Sequence, residues 1–445
     1  MTASRTSSCE ARKCDDVEPP LVPRAGVTLP LRAAAPGLLH TGRGFPEPGA
    51  RSRLRRRLEP VAAAGWVASA FTVSFNGVRL SSAVSVGDAV FAATLVVTIA
   101  WAAAGGRKRT AGVPVAHVSA LVWVGGAALV AGATVATVAG QRTAVGIVAL
   151  GRFVFDTGGS LLGWCVWAPD RRQLRWFCTA FVAGGLFSAA WAWSFIPAAT
   201  RRPMGLDSHP NDFGIVCVVG AAIAAAWALV GTAAMRRPAA AATAVLAAGV
   251  VASGSRSALV GLAAAVPVVA ACCGRTALAR GAAVAGAVVA VVVLAGVVRA
   301  PHHTWLGRFA GDRSTVESDA GRTAALVSSL ERVRRHPLAG EGLVSAFAAH
   351  DIYLQAMVIG GPLGLAGLVA VATSVVSATA RAATGGAGPG RERVLVAGLG
   401  AGYCGYLVAG LFQNNVSQRY AWLVAAATLS AAAGLRSASR SGLEP

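Results

Sequence analysis

Long apolar runs alternate with short polar segments along most of the chain. From about residue 60 onward, twelve runs have close to the roughly 20 residues that an α-helix needs to cross ~30 Å of hydrocarbon. The runs lack the strict alternation of barrel strands, so they predict an all-α polytopic bundle of about twelve transmembrane spans. The predicted spans are 60–77, 87–104, 114–139, 144–168, 176–196, 211–234, 239–254, 257–273, 278–298, 352–380, 394–413 and 420–435.

Composition supports a membrane protein and excludes an ordinary soluble one. Hydrophobic residues make up 55% of the 445 positions and charged residues only 13%, against about 25% charged residues in soluble domains. The net charge is +21. A basic balance can indicate nucleic-acid binding, but in a membrane protein basic loops mark the cytoplasmic side. We therefore expect membrane lipid around the chain and no nucleic-acid partner.

The distribution of basic residues predicts the orientation of the spans. With the N-terminus inside, the short inner loops carry thirteen basic residues and the short outer loops carry six. This bias supports that orientation of a multi-pass membrane protein, and an even number of spans then places both termini in the cytoplasm. The inner set is Arg107, Lys108, Arg109, Arg171, Arg172, Arg175, Arg236, Arg237, Arg275, Arg280, Arg381, Arg391 and Arg393. The outer set is Arg79, Arg142, Arg201, Arg202, Arg256 and Arg419.

Three regions of the chain are expected. Residues 1–58 are rich in Pro, Gly, Ala and Arg without periodicity, which predicts a disordered, basic cytoplasmic extension. An over-long gene start is the alternative explanation for this segment. Residues 59–436 form the predicted transmembrane domain, and residues 437–445 form a short cytoplasmic tail.

One predicted outer loop, 299–351, is far longer than the others, and long loops of this kind are usually functional. Within it, 319–335 is predicted to be an amphipathic helix. Ser318 or Asp319 can cap its start, and Pro337 ends it. Arg322 then lies in the first turn, where the helix dipole disfavours a cation, so we expect another interaction to hold it there. The predicted shared face of this helix contains Ala325, Leu326, Ser329 and Val333.

Three polar clusters lie on the predicted outer side. The first is Arg201-Arg202-Pro203 with the nearby His209-Pro210-Asn211. The second is the tight turn Ser253-Gly254-Ser255-Arg256-Ser257 between two spans. The third comprises His336-Pro337-Leu338-Ala339-Gly340-Glu341-Gly342, then His350-Asp351-Ile352-Tyr353-Leu354-Gln355, then Gly360-Gly361-Pro362-Leu363-Gly364.

In this order, the Ser-Arg-Ser turn, the arginine of the loop helix and the motifs of 336–364 resemble the O-antigen ligase and O-antigen polymerase superfamily of bacterial membrane glycosyltransferases. The resemblance covers roughly 200–430, and 336–364 is its most specific part. It implies transfer of a glycan from a polyprenyl-diphosphate carrier to an acceptor hydroxyl at the outer face, with inversion and with no required metal or other cofactor. The acceptor is a different molecule in a ligase and a second lipid-linked glycan in a polymerase, and both remain open here.

The resemblance gives the polar clusters a chemical reading. A departing diphosphate gathers negative charge in a poorly hydrated place, and arginines hold phosphate oxygens through paired donors. No Asp-x-Asp motif occurs on the predicted outer side, so we assign no metal ligand. The predicted diphosphate-binding residues are Arg256, Arg322, and Arg201 or Arg202. For each of them, an interfacial or surface charge without a further role is the simpler alternative.

His350 is the predicted general base, because its ordinary pKa of roughly 6.5 leaves it partly neutral near neutral pH. Tyr353 is predicted to bind sugar or phosphate through its hydroxyl. Asp351 stands where many proteins with this motif have Asn, and its carboxylate could orient His350, raise its pKa, or face away. Gly340 and Gly342 are predicted to permit the turn that aims His350 at the membrane.

Two further patterns have mainly structural interpretations. Arg152 and Asp156 lie four residues apart within a predicted span, which favours a local ion pair, with a polar cavity for the donor glycan as the alternative. Gly360 and Gly364 have the spacing of close helix contacts.

Two other functions remain possible. A twelve-span transporter or a lipid-linked glycan flippase is the main alternative, although no clear internal repeat is present and most suggestive residues lie near the surface. A member of the family that has lost activity and serves as a scaffold is the second, and Asp351 is the departure that leaves it open.

Overall fold

The computed structural model describes residues 48–82, 84–106, 120–140, 143–195, 202–274, 313–343, 349–384 and 391–440. Within these ranges the chain is helical and contains no β-strand, only an isolated bridge between Arg79 and Ser85. The described helices are α1 (Pro48–Phe71), α2 (Val86–Ala103), α3 (Ala120–Ala139), α4 (Thr143–Trp167), α5 (Arg171–Phe195), α6 (Pro210–Val230), α7 (Ala233–Ala252), α8 (Arg256–Cys273), α9 (Arg313–Arg335), α10 (Ile352–Thr384), α11 (Arg391–Ala409) and α12 (Arg419–Arg440).

Eight of these helices are long and apolar enough to cross a membrane: α2, α3, α4, α5, α6, α8, α10 and α11. The all-helical, multi-pass architecture is therefore confirmed. The predicted spans 60–77, 239–254 and 420–435 fall on α1, α7 and α12, which are not among the eight. The predicted span 278–298 lies outside the described residues, so the count of twelve stays a prediction.

The boundaries at the N-terminal side differ from the predicted ones. Residues 1–47 of the predicted disordered extension lie outside the described residues. Helix α1 begins at Pro48, well before residue 58. Arginine is a good helix former, and the exposed arginine-rich turns of 51–57 continue directly into the apolar part of α1.

Helix α9 confirms one end of the predicted loop helix and corrects the other. It ends at Arg335, just before Pro337, but it begins at Arg313 rather than at Asp319. Arg322 therefore lies in the middle of the helix, and the predicted conflict with the helix dipole does not arise. Leu326 is 47% exposed and does not belong to the buried face, whose most buried member is Ser329. Residues 299–312 and 344–348 of the predicted loop lie outside the described residues.

Small residues bring the helices into close contact. A Cβ atom on Gly132 of α3 would lie 2.8 Å from the Gly360 carbonyl oxygen and 3.1 Å from the Gly364 nitrogen, both in α10. Gly261 of α8 and Gly405 of α11 face each other in the same way, since a Cβ atom on either would lie 2.7 Å from the other's carbonyl oxygen. In lipid, no hydrophobic effect drives helices together, so close backbone contact of this kind favours their association through van der Waals packing. The predicted packing role of Gly360 and Gly364 is observed.

Helix α10 is broken in its N-terminal third. Gly360 (φ −145°, ψ 23°) and Gly361 (φ 61°, ψ −154°) leave the helical region, and Pro362 follows without an N–H group. The backbone N–H groups of Glu341 and Gly342 donate to the Val358 carbonyl, over 2.8 and 3.2 Å. The turn 336–342 therefore supplies hydrogen bonds that the broken helix does not provide.

The turn 336–342 depends on glycine at two positions. Gly340 has φ 76° and Gly342 has φ 91°, a left-handed backbone that other residues adopt with strain. A Cβ atom on Gly340 would also lie 2.7 Å from both the Gly361 nitrogen and the Val358 carbonyl oxygen. The turn and the break in α10 thus fit each other only without a side chain at position 340.

An ion network, buried except at the half-exposed Arg152, joins the starts of α2 and α12 to the middle of α4. Arg419 pairs with Asp88 (2.5 Å) and Asp156 (3.4 Å), and it also donates to the Gly87 carbonyl. Arg152 pairs with Asp88 (3.3 Å) and lies 3.9 Å from Asp156. The predicted Arg152–Asp156 pair is therefore one contact of a larger network. Arg419, predicted to end a short loop, is instead the first residue of α12, and its side chain is only 5% exposed.

The requirement for glycine at position 340 can be tested by comparison with a glycine of α9. Gly340→Ala places a Cβ atom against the broken helix in a left-handed backbone, so we expect a lower thermal unfolding midpoint. Gly321→Ala is the control, since nothing lies within 4 Å of its Cβ position and alanine stabilises a helix by up to about 1 kcal/mol over glycine. Equal midpoints for Gly340→Ala and wild type in detergent would show that the turn tolerates a side chain.

The ion network predicts that replacing Arg419 lowers the stability of the protein far more than replacing Arg335. Arg419→Met leaves Asp88 and Asp156 without their buried partner, which typically costs about 3–5 kcal/mol. Arg335→Met removes an arginine that is 65% exposed and pairs with Glu331 on the helix surface, so a change within about 0.5 kcal/mol is expected. Thermal unfolding in detergent compares the two variants, and similar midpoints for both would contradict a stabilising role of Arg419.

Candidate active site

Several loops meet at one end of the bundle, which we call the site end. It contains the described residues of the segments 72–82, 84–85, 202–209, 253–257, 336–343, 349–351 and 410–418. The Gly77 N–H donates to the Leu206 carbonyl (2.8 Å), and the Val416 N–H donates to the Gln355 side chain (3.1 Å). These bonds hold the loops against the helix ends, so side chains far apart in sequence become neighbours.

The predicted Ser-Arg-Ser turn is present between α7 and α8. Gly254 has φ 60°, and the Ser255 hydroxyl caps α8 by accepting from the Ala258 N–H (3.3 Å). Arg256 is the first residue of α8. The cap and the glycine together fix the direction in which the Arg256 side chain leaves the turn.

A buried polar chain supports this turn from the loop between α11 and α12. The Gln413 amide donates to the Ser257 hydroxyl, and Asn415 donates to the Gln413 side chain (3.0 Å) and to the Tyr420 hydroxyl (2.6 Å). Tyr420 in turn donates to Asp212 (3.3 Å). The sequence analysis did not find these residues, although the polar run Gln413-Asn414-Asn415 between two apolar segments was a usable signal.

Arg202 takes part in the same support. Its Nε donates to the Ser253 carbonyl (2.9 Å), and a terminal nitrogen donates to the Asn211 side chain (3.0 Å). These bonds favour a role in positioning the turn over the predicted role in binding diphosphate. Arg201, the alternative diphosphate-binding residue, lies outside the described residues.

Arg256 and Arg322 converge on one carboxylate. A terminal nitrogen of Arg256 bonds to Oδ1 of Asp319, and a terminal nitrogen of Arg322 lies 3.6 Å from the same oxygen. The side chains of Arg256, Arg322 and Asp319 are 37%, 24% and 46% exposed, so water reaches all three. The structure thus brings two of the predicted diphosphate-binding arginines together around an anionic group that the sequence analysis had assigned only to a helix cap.

His350 is partly buried, and it lies close enough to Arg322 for the charge of that arginine to act on it. Burial and, secondarily, the positive charge of Arg322 hold the pKa of His350 below its ordinary value. A lower pKa means that the imidazole stays neutral to lower pH. This environment favours the form of His350 that can accept a proton.

Asp351 caps the start of α10. Its Oδ1 accepts the N–H groups of Tyr353 (2.7 Å) and Leu354 (2.9 Å). Of the alternatives for this carboxylate, the structure shows it facing the helix, and the pKa of His350 is lowered rather than raised. Asn and Asp are about equally good helix caps, so this role explains why either residue suits the position.

Tyr353 uses its hydroxyl within the protein. The hydroxyl donates to the Leu407 carbonyl of α11 (3.2 Å). Its oxygen retains acceptor capacity, which suits a sugar hydroxyl better than a phosphate, since phosphate oxygens need a donor. Of the two predicted ligands of Tyr353, the geometry therefore favours sugar.

Asp207 is a buried acid that the sequence analysis missed. Asp207 belongs to the loop before α6, and its side chain is buried. Neither carboxyl oxygen has a hydrogen-bond partner among the described residues. Asn76 lies close enough to lower its pKa slightly, but the Asn76 amide donates to the Val73 carbonyl (3.5 Å). Burial and, secondarily, the nearby Asp212 raise the pKa of Asp207 well above its ordinary value. No spacing or motif distinguished it in the sequence.

No protein-family model matches the chain, and no curated protein matches it. The resemblance to the O-antigen ligase and polymerase superfamily therefore rests on the sequence motifs alone. The site consists of two partly exposed arginines on one carboxylate, and of a histidine whose pKa burial and Arg322 lower.

The effect of Arg322 on His350 can be measured without an activity assay. Arg322→Gln removes a neighbouring positive charge, so the pKa of His350 rises while burial still lowers it. The midpoint of its reaction with diethylpyrocarbonate, which modifies neutral imidazole, should move to higher pH when followed by mass spectrometry. Arg334→Gln removes an exposed charge from the same helix and should leave the midpoint in place. A midpoint that stays or moves lower in Arg322→Gln would contradict the interaction.

Proposed function

We propose that the protein is a glycosyltransferase of the plasma membrane, which moves a glycan from a polyprenyl-diphosphate carrier to an acceptor hydroxyl at the outer face. The observation that carries the proposal is the convergence of Arg256 and Arg322 on one carboxylate, with Arg322 also acting electrostatically on His350. A membrane-embedded chain with two exposed cations and a neutral base at one end has the parts needed for such a transfer. The sequence motifs supply the substrate class.

The proposed reaction is a single displacement. His350 accepts the proton of the acceptor hydroxyl as its oxygen bonds to the anomeric carbon, and the bond from that carbon to the diphosphate oxygen breaks. The pair of electrons leaves with the polyprenyl diphosphate, whose added charge Arg256 and Arg322 stabilise. His350 then releases its proton to water, and the glycan has inverted its anomeric configuration.

The proposal includes the finer features predicted from sequence. The bundle has about twelve spans, both termini lie in the cytoplasm, and the site end faces outward. The acceptor is a glycan or a glycolipid, as in a polymerase or a ligase, and no metal or other cofactor takes part. The capping role of Asp351 supports an active enzyme over a scaffold, because capping accounts for the departure from Asn without a loss of function.

A transporter or lipid-linked glycan flippase remains the second candidate, and two observations favour it. Helix α10 is discontinuous at Gly360 and Gly361, and transporters often place such breaks at their binding sites. The ion network around Arg419 and Asp156 lies between spans, where charges often mark a transport pathway. The break is filled by the turn 336–342, however, and the network is internally paired, so neither feature offers a free binding group.

A transfer assay separates these functions. Protein in lipid vesicles receives a polyprenyl-diphosphate oligosaccharide and an acceptor glycan, and release of polyprenyl diphosphate is measured with and without a chelator. We expect transfer by wild type in both conditions. His350→Ala should lose about 10²–10⁴-fold in rate and Arg256→Ala about 10²–10³-fold, as removal of a base and of a charge stabiliser do.

The controls exclude trivial loss of activity. Arg334→Ala removes an exposed arginine of α9 and should transfer at the wild-type rate, and the thermal unfolding midpoint of every variant is measured alongside. Wild-type protein that moves the glycolipid between leaflets without cleaving it would be a transporter. Activity that disappears with the chelator would contradict the arginine-based mechanism.

A further inference from the structure

The anionic group between Arg256 and Arg322 is part of the protein itself. Asp319 belongs to α9, three residues before Arg322 on the same helix, whereas Arg256 begins α8. The contact therefore joins the loop helix to the membrane domain through one carboxylate oxygen. With two arginines and one aspartate, the triad carries a net charge of +1.

The position of this triad makes it attractive to anions. Helix α8 has no acidic residue in its first turn, so the positive end of its dipole adds to the charge of Arg256. Two guanidinium groups around one oxygen reproduce the arrangement in which arginines hold phosphate. Asp319 thus occupies the position that a phosphate oxygen would take.

The contact is also weak enough to exchange. The three side chains are between about a quarter and a half exposed, and ion pairs in such settings contribute little because water competes for both partners. In contrast, Arg419 and Asp156 are each 5% exposed and have no access to an external ion. Asp319 can therefore leave the arginines when a ligand with greater negative charge arrives.

We propose that Asp319 is an internal counter-ion that competes with a lipid diphosphate for Arg256 and Arg322 and promotes release of the polyprenyl-diphosphate product. This inference rests on the proposed function. Cleavage leaves the diphosphate with one more ionisable oxygen than it has in the glycan-linked donor. The product therefore binds two arginines more tightly than the donor does. As the product dissociates stepwise, Asp319 pairs with the arginine that is freed and prevents rebinding.

Binding measurements test this competition without any transfer. Farnesyl diphosphate and inorganic diphosphate are titrated against wild type, Asp319→Asn and Asp319→Glu in phosphatidylcholine nanodiscs. Loss of a competing ion pair between partly exposed side chains is expected to change the Kd of the ligand by up to about fivefold. We expect Asp319→Asn to bind both probes about fivefold more tightly than wild type, and Asp319→Glu to bind them nearly as wild type does.

Two further variants make the result specific. Glu317→Gln removes an exposed acid two residues away on α9 and should leave both Kd values within about twofold of wild type. In the Arg256→Ala background, Asp319→Asn should have a much smaller effect, because the two residues act on one site and their effects are not additive.

The outcomes separate this inference from the proposed function. Weaker binding in Asp319→Asn would show that Asp319 supports the arginines rather than competing with the ligand, and unchanged binding would also overturn the inference. Tightening for inorganic diphosphate alone would overturn it too, since the lipid would then not reach the arginines. If the lipid tightens as expected while wild type performs no glycan transfer, the competition stands and the proposed function fails.

Discussion

The hydrogen bonds of Glu341 and Gly342 to the Val358 carbonyl are the interaction on which the site end depends. A carbonyl left unpaired by a break in a membrane helix costs several kcal/mol. The break at Gly360 and Gly361 is therefore stable only while the turn 336–342 occupies it. The same turn follows α9, and its Glu341 carboxylate pairs with Arg332 of that helix (3.4 Å). One backbone defect thus fixes a polar loop helix to an apolar span.

Two kinds of charged cluster lie toward the same end of the bundle. Arg419, Asp88 and Asp156 are shielded between helices and paired with one another, so their charges hold α2, α4 and α12 together. Arg256 and Arg322 point into a water-accessible region, where their partner is exchangeable. Burial, and not residue type, decides which arginines are structural and which are available to a ligand. The proposed chemistry needs both, because an exchangeable clamp must be held by a rigid frame.

The sequence predicted the elements whose signals are local. The apolar runs located the described spans, Pro337 marked the end of α9, and the Ser-Gly-Ser turn separated α7 from α8. The predicted start of α9 was wrong because Ser318 and Asp319, which are typical helix caps, also occur inside helices, and here the Asp319 side chain pairs with Arg256. Nothing in the amino-acid sequence indicated that Asp319 would form an ion pair with Arg256.

Several other errors involve tertiary contact between distant segments. Asp319 and Arg256 are 63 residues apart, and Arg419 and Asp88 are 331 apart. Charge counting treated Arg419 as a loop residue, since its neighbours in sequence are polar and its partners are remote. Gln413 was overlooked for the same reason, because only the fold brings it to Ser257. His350 and Arg322 were found through motifs, but their electrostatic coupling was not.

In the proposed reaction, that coupling connects His350, the proposed base, to the leaving diphosphate. In the structure, the charge of Arg322 contributes to keeping the pKa of His350 low. When a diphosphate binds the arginine pair, its negative charge offsets Arg322, and the same Coulomb effect then raises the pKa of His350. The histidine thus becomes a stronger base at the moment when a donor is present, and it is a weaker one when Asp319 alone neutralises the pair. In the proposed reaction, donor binding would therefore precede activation of the acceptor, and the order would follow from the shared position of Arg322 between the two groups.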